Sequence, residues 1–166
     1  MRARSLTCAC LAAIAAALLV AGCGGGREED TPVACLEGAA AYKQALAKAP
    51  AAVQLEGTTP IEDCLSENQD GGQLAIVGEA MIEVATELNA EARQDPGNKA
   101  TLQLGYLIGA AERGAEKTEG IHADLIRRLV VAARFAPGGE PLSPAFLAVY
   151  KEGFDAGRQG GWLPDS

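Results

Sequence analysis

Between Gln73 and Gln94 the residues Leu74, Val77, Met81, Val84, Ala85, Leu88 and Ala92 recur at alternating spacings of three and four. At 100° per residue they share one face of a helix, while Glu79, Glu83, Glu87 and Glu91 repeat every four residues on the opposite face. A segment patterned this way cannot serve as a strand, whose side chains alternate faces at every residue. A helix with one apolar face must bury that face against other elements. Alanine is abundant, aromatic residues are only 4% of the chain, and the period of 3.6 dominates. The expectation is an all-α fold, a single small helical bundle of about five main helices plus one short helix.

Proline and glycine divide the chain into those helices. The first is expected over 33–49, ending before Pro50 and carrying Cys35 with Leu36, Ala39, Tyr42 and Leu46. An irregular stretch, 51–58, leads to Thr59-Pro60-Ile61-Glu62, which has the form of a capping box with proline at the first helical position. A short helix over 60–69 would bring Cys64 back toward Cys35. Asp70-Gly71-Gly72 precedes the glutamate-backed helix, 73–94, and Asp95-Pro96-Gly97 closes it. Asn98 then offers an N-cap for a helix over 99–117, with Leu104, Leu107, Ile108, Ala111 and Ala115 on its main face. Leu102 and Tyr106 point elsewhere, so this helix should touch neighbours on two sides. Gly120 separates it from a helix over 121–135, whose apolar arc is Ile121, Leu125, Ile126, Leu129, Ala132 and Ala133. After the loop 137–141, Ser143 and Pro144 read as cap and first residue of the last helix. No repeat period is present.

The N-terminus has a different character. Arg2 and Arg4 precede an apolar run of only 11 residues, 11–21, against the roughly 20 that a spanning helix needs. Glycines and then charges follow it, the layout of a cleaved secretory signal. Its end, Val20-Ala21-Gly22-Cys23, resembles the lipobox of bacterial lipoproteins: an aliphatic residue, two small ones, then cysteine. The resemblance covers about the first 25 residues and says nothing of the remaining domain. It implies that 1–22 are removed as a signal peptide, that the Cys23 sulfur carries a diacylglyceryl group, and that the protein is extracytoplasmic and lipid-anchored to a bacterial membrane. Residues 23–32 then form the lipidated cysteine and a flexible tether, 33–159 the bundle, and 160–166 a C-terminal tail.

That resemblance also bears on the cysteines. Cys8 and Cys10 leave with the signal and Cys23 is committed to lipid, so Cys35 and Cys64 remain in an oxidising compartment, which implies one disulfide. Two free buried thiols, or a two-cysteine contribution to a metal site, are the alternatives. No CxxC spacing supports the latter. The net charge of −8 becomes −10 once Arg2 and Arg4 are lost, which argues against nucleic-acid binding.

Few residues suggest chemistry. His122, the chain's one histidine, falls by helical phase in the apolar arc and first turn of the fourth long helix. With Glu119 or Asp124 it is a weak candidate for a mononuclear metal site; the competing reading is an interior histidine hydrogen-bonded to a neighbouring carboxylate or carbonyl. No nucleophile elbow, zinc-protease or phosphate-loop motif is present, no catalytic residue stands out, and no cofactor is implied. In the last helix Phe146, Tyr150 and Phe154 form an aromatic ladder beside Gly153 and Gly157, and the third carries Gly105 and Gly109. These glycines and aromatics either floor and wall a ligand groove or pack two helices closely. Arg127, Arg128 and Arg134 make the fourth helix locally basic. The first expectation for function is a protein- or peptide-binding module of the cell envelope. Next stands a small-molecule or metal-binding lipoprotein using the aromatic face or His122, and third an enzyme.

Overall fold

The computed structural model describes residues 30–161. The expected signal peptide, Cys23, the expected tether up to residue 29 and the tail from residue 162 lie outside the described residues. The fold is a small all-α bundle with one two-stranded sheet and one disulfide. Its helices are α1 (Ala39–Leu46), α2 (Gly71–Gln94), α3 (Lys99–Ala115), α4 (Ala123–Arg134) and α5 (Pro144–Gln159). The strands β1 (Gln54–Leu55) and β2 (Thr59–Pro60) pair antiparallel, with Gln54 opposite Pro60 and Leu55 opposite Thr59.

Two helices, α3 and α5, start where the sequence placed their caps, and α2 has a cap, Asp70, that the sequence marked only as a break. The Asp70 carboxylate accepts from the Gly72 and Gln73 amides at 2.8 and 3.1 Å, so α2 begins two residues earlier than its apolar pattern. The Asn98 side chain accepts from Thr101 N at 3.2 Å and the Ser143 hydroxyl from Phe146 N at 3.1 Å. In each case a short side-chain acceptor satisfies an amide that the first helical turn leaves unpaired.

The expected first helix, 33–49, is divided. A 3-10 turn over Val33–Leu36 is separated from α1 by Gly38 at φ +82°, a left-handed backbone that glycine adopts without cost. The break serves Tyr42: its hydroxyl donates to the Cys35 carbonyl at 3.0 Å, and its ring is fully buried. The expected capping box at 59–62 does not form either. Thr59 pairs in the hairpin instead, no side-chain cap is made at Pro60, and the short helix shrinks to a 3-10 turn over Ile61–Cys64. Hairpin pairing and the disulfide hold this segment where a longer helix would carry it away from α3.

The Cys35–Cys64 disulfide is present and fully buried, with a Cα–Cα distance of 5.5 Å. It ties the N-terminal turn to the turn after the hairpin. Beside it, Gly114 of α3 lies directly against the Glu62 backbone carbonyl, and Arg113 reaches the mostly buried Glu62 carboxylate at 3.2 Å. The centre of the bundle is α3, whose residues from Leu104 to Ala111 are all buried. It packs against α5 on one side and against α2 and α4 on the other.

Removing the disulfide should destabilise the protein through loop closure. A bridge across a sequence separation of 29 contributes about 3–4 kcal/mol by chain entropy. A Cys35→Ala/Cys64→Ala variant should lose an amount of that order in urea denaturation monitored by circular dichroism. A loss under about 1 kcal/mol would contradict this account of the staple.

Candidate interaction surface

The glycine and aromatic face is closed by the protein itself. The α3 glycines Gly105 and Gly109 receive the backbone carbonyls of Tyr150 and Phe154, and the α5 glycines Gly153 and Gly157 receive those of Leu102 and Tyr106. The contact is reciprocal, and a methyl group at any of the four positions would overlap backbone atoms of the facing helix. Of the two readings of this face, close packing holds, and there is no ligand groove between the helices. Such an approach brings Cα–H groups against carbonyl oxygens and leaves no side-chain layer between them. The aromatic ladder runs alongside as Phe146, Tyr150 and Phe154, with successive ring centroids 6.0 and 6.3 Å apart. Phe146 is buried while the other two are half-buried. Burial pushes the Tyr150 phenol up to about 12.

His122 is fully buried, but it stands at the N-cap position of α4 rather than within its first turn. Glu119 (φ +47°) and Gly120 (φ +91°) are consecutive left-handed residues, so the helix cannot begin until Ala123. Ile121, expected in the apolar arc, is accordingly exposed. Both ring nitrogens of His122 are engaged, Nδ1 with the Thr118 hydroxyl and Nε2 with Gln69 Oε1, each at 2.8 Å. The Gln69 amide nitrogen donates to the Cys64 carbonyl at 3.0 Å and to the Thr31 hydroxyl at 2.7 Å. A carbonyl can only accept, which orients that amide with its oxygen toward His122 and places the ring proton on Nε2. Nδ1 faces the Thr118 hydroxyl, whose single proton also reaches the Ala115 carbonyl at 2.7 Å. Gln69, Thr118 and Thr31 were not singled out in the sequence, because the network joins the chain across 53 positions with no local spacing to reveal it.

Glu119 and Asp124 do not join His122. Both are exposed, and Asp124 pairs with Arg127 one turn along α4. Among the described residues no three potential ligands converge. The His122 imidazole therefore acts as a structural link between the α3–α4 connection, the disulfide segment and the first residues of the fold. With no carboxylate in the network, burial pushes its pKa down.

An open, partly apolar cleft lies between α2 and α4. A cleft of about 440 Å³ is lined by Ile82 and Thr86 on one wall and by Arg127, Arg128, Val131, Ala132 and Phe135 on the other. Val131 is 62% and Phe135 60% exposed, and the two line the same cleft, so they form a patch rather than scattered single residues. Phe135 is held in place by its own backbone: its carbonyl accepts from Asn89 at 2.7 Å and from Arg93 at 2.8 Å. The arginines had been noted in the sequence, but the exposed pair Val131 and Phe135 had not. Packing of α4 against α2 and α3 determines which of its sides turns outward. The glutamate row on α2 is exposed as expected, and at its C-terminal end Lys43 of α1 pairs with Glu87 and Glu91, both at 2.8 Å.

No protein-family model, curated protein or solved structure matches this chain.

Two measurements test this geometry. Gly105→Ala or Gly153→Ala should destabilise the fold by about 2–3 kcal/mol or more, since the facing atoms are backbone and cannot turn aside; a thermal midpoint unchanged from wild type would refute the close contact. For His122 the folded pKa lies below the unfolded value of about 6.5. The unfolded chain thus binds the extra proton first as pH falls, and stability declines from about pH 6.5 down to the folded pKa. The slope should approach about 1.4 kcal/mol per pH unit and be absent from His122→Gln. Equal slopes in the two proteins, measured by urea titration between pH 7 and 5, would refute it.

Proposed function

We propose that this chain is a lipid-anchored lipoprotein of a bacterial envelope whose disulfide-stapled bundle acts outside the cytoplasm by binding another envelope protein or a peptide. The observation that carries the binding reading is the α2–α4 cleft, where Val131 and Phe135 stand exposed beside Arg127 and Arg128. Apolar anchors ringed by charge are the composition of a recognition surface, in which burial supplies affinity and charge supplies register. Nothing comparable supports a reaction: His122 has both nitrogens occupied, and the glycine face is filled by backbone. The same two facts weaken the small-molecule and metal readings.

The anchoring part rests on the leader and on Val20-Ala21-Gly22-Cys23. A disulfide between Cys35 and Cys64 accords with an oxidising compartment. One acyl chain binds a membrane marginally, while the two chains of a diacylglyceryl group hold it stably. Residue Thr31 is already tied into the bundle, its amide donating to Gln73 and its hydroxyl accepting from Gln69. The tether between Cys23 and that point would span roughly 15 Å as a flexible coil. A partner must therefore lie close to the bilayer.

In the bacterium that carries the protein, palmitate labelling should mark the wild type, and Cys23→Ser should abolish the label and release the protein from the membrane fraction. A Cys23→Ser protein that still carried the label would sink the anchoring reading. The binding reading is tested separately with a photoreactive residue at position 131, which should yield protein adducts in intact cells, whereas the same residue in place of exposed Lys151 should not. Absence of any adduct at position 131 would count against the cleft as a docking site.

A further inference from the structure

We propose that the occupant of the α2–α4 cleft is a second copy of this chain, related to the first by a twofold axis running along the cleft. The inference rests on the binding reading above and names its partner. Its basis is the distribution of charge across the two walls. On the α4 wall Arg127 and Arg128 are exposed; on α2, Glu79 and Glu83 are exposed, and helical spacing places Glu79 on the same stripe as Ile82 and Thr86. Among the described residues Glu79, Glu83 and Arg128 form no ion pair, and Arg127 pairs only with Asp124 of its own helix.

The heights of these charges along the cleft also match. A Cβ on Gly78 would lie 3.3 Å from Leu125, and Asn89 donates to the Phe135 carbonyl at 2.7 Å. Those two contacts show that α2 and α4 run parallel and advance together at the same rise per residue. Glu79 and Glu83 therefore stand level with Arg127 and Arg128 on the opposite wall. A twofold rotation about an axis along the cleft exchanges the walls and preserves height. It sets each α4 over the α2 of the other copy, the arginines against the glutamates. Val131 and Phe135 then form a ridge over the small exposed residues Thr86 and Ala90, because Phe135 is level with Asn89. The patch is self-complementary, as an isologous interface requires.

An anionic bilayer fits this surface poorly, since the exposed glutamates and a net charge of −8, or −10 without Arg2 and Arg4, would oppose it. Exposed ion pairs contribute little energy, so the apolar ridge supplies the affinity and the charges select the register. Anchoring both copies to one membrane raises their effective concentration and makes a weak contact sufficient.

The test uses the intact chain in its own membrane, with Val131→Cys and a bis-maleimide spacer as the cross-linking probe. A product of twice the chain mass is expected. Arg128→Glu alone and Glu83→Arg alone should each reduce its yield at least fivefold, while the two reversals combined in one chain should restore it to near the unreversed level, because each new glutamate then meets a new arginine on the other copy. All of these residues are exposed, and circular dichroism of each purified variant checks that it remains folded. Absence of a dimer, a yield indifferent to charge reversal, or a double reversal no better than the singles would overturn the proposal. An adduct with a different protein would also overturn it while leaving the cleft as a binding surface.

Discussion

The structure depends on the contact between α3 and α5, where four glycines let two helical backbones meet without intervening side chains. Gly105 and Gly109 accept the carbonyls of α5, and Gly153 and Gly157 accept those of α3. Because the approach is reciprocal, neither helix can shift along the other without driving a carbonyl into a neighbouring side chain. The close contact removes one flank of α3 from solvent, and the α2 and α4 packing removes the other. A third glycine of the same helix, Gly114, admits the Glu62 backbone and with it the disulfide turn. One helix thereby organises most of the fold, using the absence of side chains at one face and at one end.

With α3 occupied in this way, α4 is left at the edge. Only its stripe of Leu125, Leu129 and Ala133 is buried, and its outward side carries arginines together with Val131 and Phe135. Its C-terminal carbonyls have no glycine cap. They are met by side chains of α2, Asn89 and Arg93 reaching Phe135 O and Arg93 also reaching Arg134 O. The end of α1 is treated alike, with Lys99 and Gln103 of α3 donating to the carbonyls of Ala47 and Leu46. Neighbouring helices thus supply the caps that local sequence lacks, and this couples helix ends to the packing of the whole bundle. The exposed cleft is a consequence of the same arrangement: α4 is packed along one edge and left open on the other.

Much of this architecture was legible along the chain. The α2 apolar stripe from Val77 to Ala92 is buried as its periodicity required, the glutamates opposite are exposed, and the caps at Asn98 and Ser143 are where short polar side chains precede a helical pattern. Tyr106, off the main face of α3, is buried as a helix with neighbours on two sides demands. The failures have a common origin. Gly38 adopts left-handed backbone inside a stretch whose apolar spacing suggested continuous helix, and the left-handed Glu119-Gly120 pair delays to Ala123 the helix expected from Ile121. Thr59 and Glu62 had the right residues for a capping box, but hairpin pairing and packing against Gly114 took them into other contacts.

What the sequence determined by itself was therefore local: which segments are helical, where most of them begin, and which faces are apolar, since these follow from spacings of three and four residues and from the chemistry of single caps. Tertiary structure alone decided which of two readings the glycines would take, and it did so because a facing backbone either fills the space above a glycine or leaves it empty. It also decided that His122 would join Gln69 and Thr118 rather than its acidic neighbours, and that Val131 and Phe135 would remain uncovered. Each of those outcomes depends on atoms brought together from distant parts of the chain, where no local periodicity records the meeting.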